Sequence, residues 1–136
     1  MKGCTFCSIV EGAIPASIVY DSADCLGFLD ISPINRGQTI VVPRRHVASF
    51  TALSPGDTTQ LGDAVQRVAR ALKQRLPGCV SIALSLADGA EAGQDVPHVH
   101  FHVIPRYAGD SFGWRRFGQP TSRSELDLIA KILRIV

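Results

Sequence analysis

Apolar residues recur along this chain with two periods, one typical of β-strands and one typical of helices. Three short apolar runs predict strands at residues 18–20, 25–29 and 38–42. Four residues, two of them Asp, separate the first two runs, which indicates a hairpin. Residues 80–86 and 96–104 alternate apolar and polar positions, as half-buried strands do. The chain is therefore expected to contain about five strands.

Two segments show helical spacing instead. Ser54 is a good N-cap, Pro55 suits the first helical position, and Asp57 places a carboxylate in the first turn. The apolar positions that follow recur at intervals of three and four residues: Leu61, Ala64, Val65, Val68, Ala69 and Leu72. Pro77 and Gly78 are expected to end this helix. A second helix is expected after a cap at 124–127, with an apolar stripe of Leu126, Ile129, Ile132 and Leu133. The pattern predicts the α+β class: an antiparallel sheet with one long helix packed on it and a short C-terminal helix.

Composition narrows the function classes. At 136 residues, with 46% hydrophobic and 19% charged residues, the chain has enough apolar material for one core and is not a disordered protein. A net charge of +2 and no basic run longer than a dipeptide give no support for a groove that binds a nucleic-acid polymer. No apolar stretch approaches the ~20 residues of a membrane span, and the start shows no signal-peptide block. We expect no membrane contact and a cytoplasmic location.

Three of the four histidines stand at alternate positions: His98, His100 and His102. In a strand, alternate side chains share a face, with successive rings roughly 6 to 7 Å apart. The apolar residues that alternate with them would face the core: Val99, Phe101 and Val103. A single histidine on a strand is most often a solvent-facing or hydrogen-bonded residue, but three in strict alternation favour a site. The glycine-containing loop at 88–96 just before them can bring backbone N–H groups near a phosphate, although most such turns are only turns.

The H-x-H-x-H run at 98–102, followed by two apolar residues, resembles the signature of the histidine triad superfamily, whose nucleotidyl hydrolases and transferases act on the α-phosphate of nucleotides. Residues 92–96 and 105–110 are similar to the branch that hydrolyses diadenosine polyphosphates. Three upstream segments match in the family's order: 4–15, 28–33 and 41–46.

The resemblance covers residues 4 to about 110. It implies a single domain over 1–136, with its core at 4–110 and a C-terminal extension at 111–136. It also implies a homodimer, to which the long helix and the fourth strand are candidate contributors. The irregular stretch before the last helix contains Trp114, Arg115 and Arg116, which we expect to shape the choice of leaving group.

The resemblance also implies roles for individual residues. His100 is the expected nucleophile, because a neutral imidazole is available near its ordinary pKa of ~6.5. The backbone carbonyl of His98 orients its other ring nitrogen. His102 donates to a non-bridging phosphate oxygen, helped by Gln94, and Asp30 accepts from the ribose hydroxyls; Asp30 as a simple loop cap is the open alternative. The expected nucleotide-binding residues are Asp30, Gln94, Asp95, Val96 and His102.

Two positions depart from the family pattern. Gln38 stands where relatives carry a fourth histidine, and it cannot gain or lose a proton at working pH. Ala87 stands where relatives carry an amide side chain. Both changes argue for a shifted substrate preference or a lower rate, with the nucleophile retained.

A metal site is also expected. Cys4 and Cys7 form a C-x-x-C pair, and with His46 and His98 they offer the ligand set of a closed tetrahedral zinc site. The sequence spacing is weak support, but zinc-containing triad proteins resemble this arrangement, and such a zinc would be structural. The alternative is a pair of reduced, unligated thiols. Cys25 and the fourth cysteine, Cys79, lie in apolar strand contexts typical of core residues.

Two hypotheses about function follow. In the first, the protein is an enzyme that forms a covalent nucleotidyl-His100 intermediate from a dinucleoside polyphosphate or a nucleoside phosphoramidate. In the second, Gln38 and Ala87 mark a zinc-stabilised nucleotide-binding module with little or no catalysis. A purely structural zinc protein would leave His100 and His102 without a role.

Overall fold

The computed structural model describes residues 1–112 and 122–134. The strands are β1 Ile18–Asp21, β2 Cys25–Leu29, β3 Thr39–Pro43, β4 Cys79–Ser85 and β5 Phe101–Tyr107. The helices are α1 Thr5–Val10, α2 Pro55–Arg75 and α3 Arg123–Leu133, with 3-10 turns at Phe50–Ala52 and Ala90–Ala92. The strands form one antiparallel sheet in the order β1-β2-β3-β5-β4. The predicted α+β class, with a long and a short C-terminal helix, is confirmed.

One face of the sheet is covered by α2. Ser54 caps its start as predicted, and with Asp57 it forms a full capping box, because Ser54 Oγ accepts from the Asp57 N–H and the Asp57 carboxylate accepts from the Ser54 N–H. Its apolar stripe lies in a core that includes Val41, Val99 and Val103 from the sheet and the segment before β5. Cys25 and Cys79 belong to the same core, as the sequence predicted.

The opposite face of the sheet carries a second, smaller core. Its buried members are Cys4, Phe6, Cys7, Leu26, Phe28, Ile40 and Val42. Three of these come from the N-terminal segment around α1, a helix that the sequence analysis did not predict. It is only six residues long, so its sequence holds too few turns to show a helical period. The candidate functional site lies on this face of the sheet.

The fifth strand differs from its prediction at both ends. The sequence predicted residues 96–104, whereas β5 runs from Phe101 to Tyr107. Pro97 has no N–H, the His98 N–H bonds locally to the Val96 carbonyl, and the Val99 N–H bonds to Val47 outside the sheet. The strand continues through Pro105 because its pairing with β3 has already ended at Val103, and proline is tolerated where one side of a strand is unpaired.

The C-terminal helix also differs from its prediction. It begins at Arg123 with Ser122 as N-cap, two residues before the predicted cap. Its predicted apolar stripe is exposed rather than buried, with Ile132 at 75% and Leu133 at 66% exposure. The three residues of the expected leaving-group contact, Trp114, Arg115 and Arg116, lie outside the described residues. Within the described part of the chain, no helix is both long and apolar enough to cross a membrane.

Candidate functional site

A cavity of about 320 Å³ opens on the sheet face that carries α1. Of the predicted nucleotide-binding residues, Asp30, Asp95, Val96 and His102 line it, together with the predicted nucleophile His100. Its other walls come from α1, from the residues before β1, from the end of β2 and the loop after it, and from β3: Thr5, Phe6, Ile9, Ile14, Pro15, Ala16, Phe28, Ile31, Ser32 and Ile40. The fold therefore gathers residues from four distant parts of the sequence around two histidines.

The hydrogen bonding of His100 fixes where its lone pair lies. Its Nδ1 is 2.7 Å from the backbone carbonyl oxygen of His98. A carbonyl oxygen only accepts, so Nδ1 carries the proton and Nε2 carries the lone pair. The ring is only 3% exposed, and Phe6 packs edge-on against it with 5.0 Å between centroids. Its Nε2 lies 3.7 Å from Oδ1 of Asp95, so the lone pair is on the side of the ring that meets the cavity.

His102 is the second imidazole of the cavity. Its ring centroid is 5.0 Å from that of His100, closer than the expected 6 to 7 Å, because the rings meet edge to face at 80°. Its Nδ1 lies 3.1 Å from Nε2 of Gln38 and 3.9 Å from Oδ2 of Asp30. Burial, followed by the neighbouring His100, lowers the pKa of His102, while the Asp30 and Asp95 carboxylates oppose the shift. The ring is therefore neutral near pH 7.

Asp30 caps its loop and also reaches the cavity. Its Oδ1 accepts from the Ser32 backbone N–H at 2.8 Å, which is the loop cap. Its Oδ2 accepts from Nε2 of Gln38 at 3.0 Å, and the side chain lines the cavity. The carboxylate keeps further acceptor capacity toward the cavity, since each oxygen has two lone pairs.

Gln94 does not lie on the cavity wall. Its Nε2 donates to the backbone carbonyls of Ala48 and Val96, and its Oε1 accepts from the Gly89 N–H. The amide is thus fully used in holding the loop, in which Gly89 adopts a left-handed φ of 100°. The expected direct contact of Gln94 with a phosphate has no support in this geometry, and its role is to shape the loop that carries Asp95 and Val96.

The four expected metal ligands come together beside the histidine row. The ligand atoms of Cys4, Cys7, His46 and His98 all lie within 4.8 Å of one another. Cys7 Sγ lies 3.3 Å from His46 Nδ1, and both sulfurs lie 3.5 Å from His98 Nδ1. Tetrahedral zinc with Zn–S of about 2.3 Å and Zn–N of about 2.0 Å requires S···N separations of about 3.5 Å. The spacing of this cluster fits such an ion.

The protonation of the cluster also suits a metal. His98 Nε2 lies 2.8 Å from the Pro43 carbonyl oxygen, so it donates there and leaves the Nδ1 lone pair facing the two sulfurs. Burial lowers the pKa of His98, which keeps it neutral. Burial raises the pKa of the Cys7 thiol, a penalty that a bound cation would remove by stabilising the thiolate.

The comparison with known families agrees with this geometry. The model of the HIT domain family matches residues 11–109, which include all five strands and the row of three histidines. The chain belongs to the HIT domain family. The resemblance seen in the sequence is therefore confirmed.

Relatives of this HIT protein include enzymes and zinc-bound structures. The adenosine 5′-monophosphoramidase of Schizosaccharomyces pombe is 33% identical over 131 residues, which cover 94% of this chain and 93% of that protein. The crystal structure of a HIT family protein from Bacillus subtilis has a TM-score of 0.88 at 30% identity, covering 97% of this chain and 95% of the other. A zinc-bound histidine triad family protein from Mycobacterium smegmatis has a TM-score of 0.78 at 36% identity, covering 90% and 86%.

Sequence reasoning missed two contributors to the HIT site. Phe6 packs against the rings of both His98 and His100, yet nothing in its local sequence marks it. Gln38 was recognised only as a departure from the family pattern, whereas the structure places its amide against His102 and Asp30. Both contacts join residues far apart in the chain, so no local pattern reports them.

Proposed function

We propose that this HIT protein is a nucleotidyl hydrolase whose substrate is a nucleoside 5′-phosphoramidate and whose nucleophile is Nε2 of His100. The observation that supports this most directly is the hydrogen bond from His100 Nδ1 to the His98 carbonyl, since it leaves the Nε2 lone pair at the cavity. A buried imidazole held in one tautomer keeps its lone pair oriented for nucleophilic attack.

The reaction proceeds in two displacements at phosphorus. In the first, Nε2 of His100 bonds to the α-phosphorus, the P–N bond to the amine breaks, and the amine leaves with a proton taken from solvent. In the second, water attacks the nucleotidyl-His100 intermediate, the P–Nε2 bond breaks, one proton of that water returns to solvent, and the nucleotide leaves with the neutral imidazole restored. His102 donates its N–H to a non-bridging oxygen as charge builds there, which is the usual electrostatic contribution in phosphoryl transfer.

The charge of the cavity favours an amine over a polyphosphate as leaving group. The described residues that line it include the carboxylates of Asp30 and Asp95 and no Lys or Arg. A polyphosphate leaving group carries several negative charges that these carboxylates repel, whereas an amine departs neutral or cationic. The Schizosaccharomyces pombe relative is named an adenosine 5′-monophosphoramidase, which supports the same substrate class.

The same cavity provides places for the nucleoside. Asp30 has acceptor capacity for the ribose hydroxyls, and Val96 and Asp95 form the wall nearest His100. Apolar side chains supply a surface on which a base can pack: Phe6, Ile9, Ile14, Phe28 and Ile31.

The proposal includes a structural zinc held by Cys4, Cys7, His46 and His98. It would neutralise the buried thiolates and fasten α1 to the segment that carries the histidines. His98 is then both a ligand and, through its carbonyl, the partner of His100.

The proposal also includes a homodimer in the cytoplasm. The fourth strand, β4, is an edge strand, and its Val80 and Leu84 are 58% and 49% exposed. An apolar edge of this kind is normally covered, here by a second copy of the chain. None of the four cysteines, all of which lie in the described residues, is in a disulfide, which fits a reducing compartment.

Turnover of matched substrates tests the choice of substrate. We expect kcat/KM for adenosine 5′-phosphoramidate to exceed that for diadenosine tetraphosphate by at least about tenfold, a difference of ~1.4 kcal/mol in the transition state. The isosteric variant Asp95→Asn removes one of the two repelling charges, so it is expected to narrow that gap. Faster hydrolysis of the polyphosphate would overturn the substrate assignment. Nucleotide binding in calorimetry without turnover of either compound would support the binding-module hypothesis instead.

A further inference from the structure

Gln38 occupies a buried and tightly held position directly before β3. The residue is only 3% exposed. Its backbone carbonyl accepts from the Asp30 N–H at 2.9 Å, and its own N–H donates to the Asn35 carbonyl at 3.1 Å. The backbone therefore leaves the amide little freedom to move.

The orientation of the Gln38 amide is set by a backbone group. Its Oε1 lies 2.7 Å from the Ile34 nitrogen. A backbone N–H only donates, so the amide atom that faces it must be the oxygen. The Nε2 group consequently points the other way, where it lies 3.0 Å from Asp30 Oδ2 and 3.1 Å from His102 Nδ1.

The two hydrogens of this amide nitrogen determine the tautomer of His102. An amide nitrogen has no acceptor lone pair, so both contacts of Nε2 are donations, and His102 Nδ1 must accept. We propose that Gln38 is a positioning residue that holds His102 with its lone pair on Nδ1 and its proton on Nε2. The N–H of His102 is then the ring's free polar group, available to a ligand in the cavity that the ring lines.

The neighbouring histidines thus hold opposite tautomers. His100 carries its proton on Nδ1 and offers a lone pair, whereas His102 carries its proton on Nε2 and offers a donor. The use of that donor on a phosphate oxygen rests on the proposed function, but the tautomer itself does not. An imidazole at position 38 can either donate or accept, so it would leave the tautomer of His102 unspecified; a glutamine specifies it.

The charges around His102 are consistent with a neutral ring held in this way. His100 packs against it at 5.0 Å, and the carboxylates facing it are those of Asp30, 3.9 Å from Nδ1, and Asp95. Protonation of Nδ1 would set its N–H against the Gln38 amide hydrogens. The protonated Nδ1 would then need the Asp30 carboxylate as its acceptor, but Gln38 Nε2 already donates to that carboxylate.

Nitrogen-15 NMR of the histidine rings in the purified, full-length protein tests this assignment without any substrate. His102 is identified by the signals that His102→Asn loses. In the wild type we expect an unprotonated Nδ1 and a protonated Nε2 for this ring at pH 7.5. In Gln38→Glu the carboxylate accepts from Nδ1–H, so we expect the proton on Nδ1 and a pKa at least about one unit higher, a tenfold rise in proton affinity.

Gln74→Glu is the matched control. Gln74 is exposed on α2, and its replacement adds the same charge without touching the site. It is expected to leave the tautomer and the pKa of His102 unchanged. A proton on Nδ1 in the wild type would overturn the proposal, as would a Gln38→Glu protein whose His102 titrates like the wild type. If Gln38→Glu does not fold, the wild-type tautomer alone decides. Failure of the proposed function would give a different result: the wild type would show the predicted tautomer of His102 but no turnover of adenosine 5′-phosphoramidate.

Discussion

Replacing His100 with alanine is expected to abolish phosphoramidate hydrolysis, with a fall in kcat of more than about 10³-fold, because the atom that bonds to phosphorus is removed. The fold should persist, since the backbone hydrogen bonds of β5 begin one residue later at Phe101. Steady-state turnover of adenosine 5′-phosphoramidate, together with the circular dichroism spectrum and the thermal midpoint, measures both outcomes.

His102→Asn provides the graded comparison for that variant. It keeps the nucleophile, and because the asparagine side chain is shorter than the imidazole, the donor at the position of Nε2 is lost, so we expect kcat to fall by about 10²- to 10³-fold, the usual cost of one such donor. If His100→Ala retained turnover within about tenfold of the wild type, His100 would not be the nucleophile. If both variants lost the same amount together with their fold, the loss would reflect structure, and His100→Asn would replace the alanine variant.

Replacing Cys4 with serine is expected to remove zinc and destabilise the protein. The four proposed ligands belong to three separated segments, so a bound zinc would tie α1 and the segment around His46 to the approach to β5. Structural zinc sites contribute apparent binding free energies of about 10–16 kcal/mol to folding, and partial loss of this term lowers the thermal midpoint by at least about 10 °C. Metal analysis of protein purified without added zinc, read beside its melting curve, measures both effects.

Cys25→Ala is the matched cysteine control for the zinc site. Cys25 lies in the core under α2, where burial raises the pKa of its thiol to about 11, so it stays a neutral apolar side chain. Its removal is expected to cost some packing while leaving the zinc content at about one ion per chain. Wild-type protein without stoichiometric zinc would contradict the metal site, and the cluster would then be a set of reduced thiols and neutral histidines.

Much of the fold follows from local patterns in the sequence. Strand alternation places Val99, Phe101 and Val103 in the core on the α2 side, and the three histidines consequently share the opposite face. The N-cap at Ser54 is equally local and was predicted correctly.

Other features depend on partners distant in sequence, which no period reveals. Sequence patterning placed His98 and His100 in a strand, but the carbonyl of Val47 and the local turn at Val96 take the hydrogen bonds that a neighbouring strand would have taken. Gln94 was expected to bind phosphate, and three backbone groups from two segments use its amide instead. The apolar stripe of α3 was predicted, and it is exposed, because amphipathic spacing predicts an apolar face without stating what covers it.

The covalent step at His100 is measured most directly by trapping the intermediate. A single turnover of adenosine 5′-phosphoramidate is quenched in alkali, where an acid-labile histidine phosphoramidate survives, and the peptides are mapped by mass spectrometry. The predicted result is an adenylyl group on His100 that appears before product and is absent from His100→Ala. Turnover without an adduct at any time, or an adduct on His98 or His102, would contradict nucleophilic catalysis by His100.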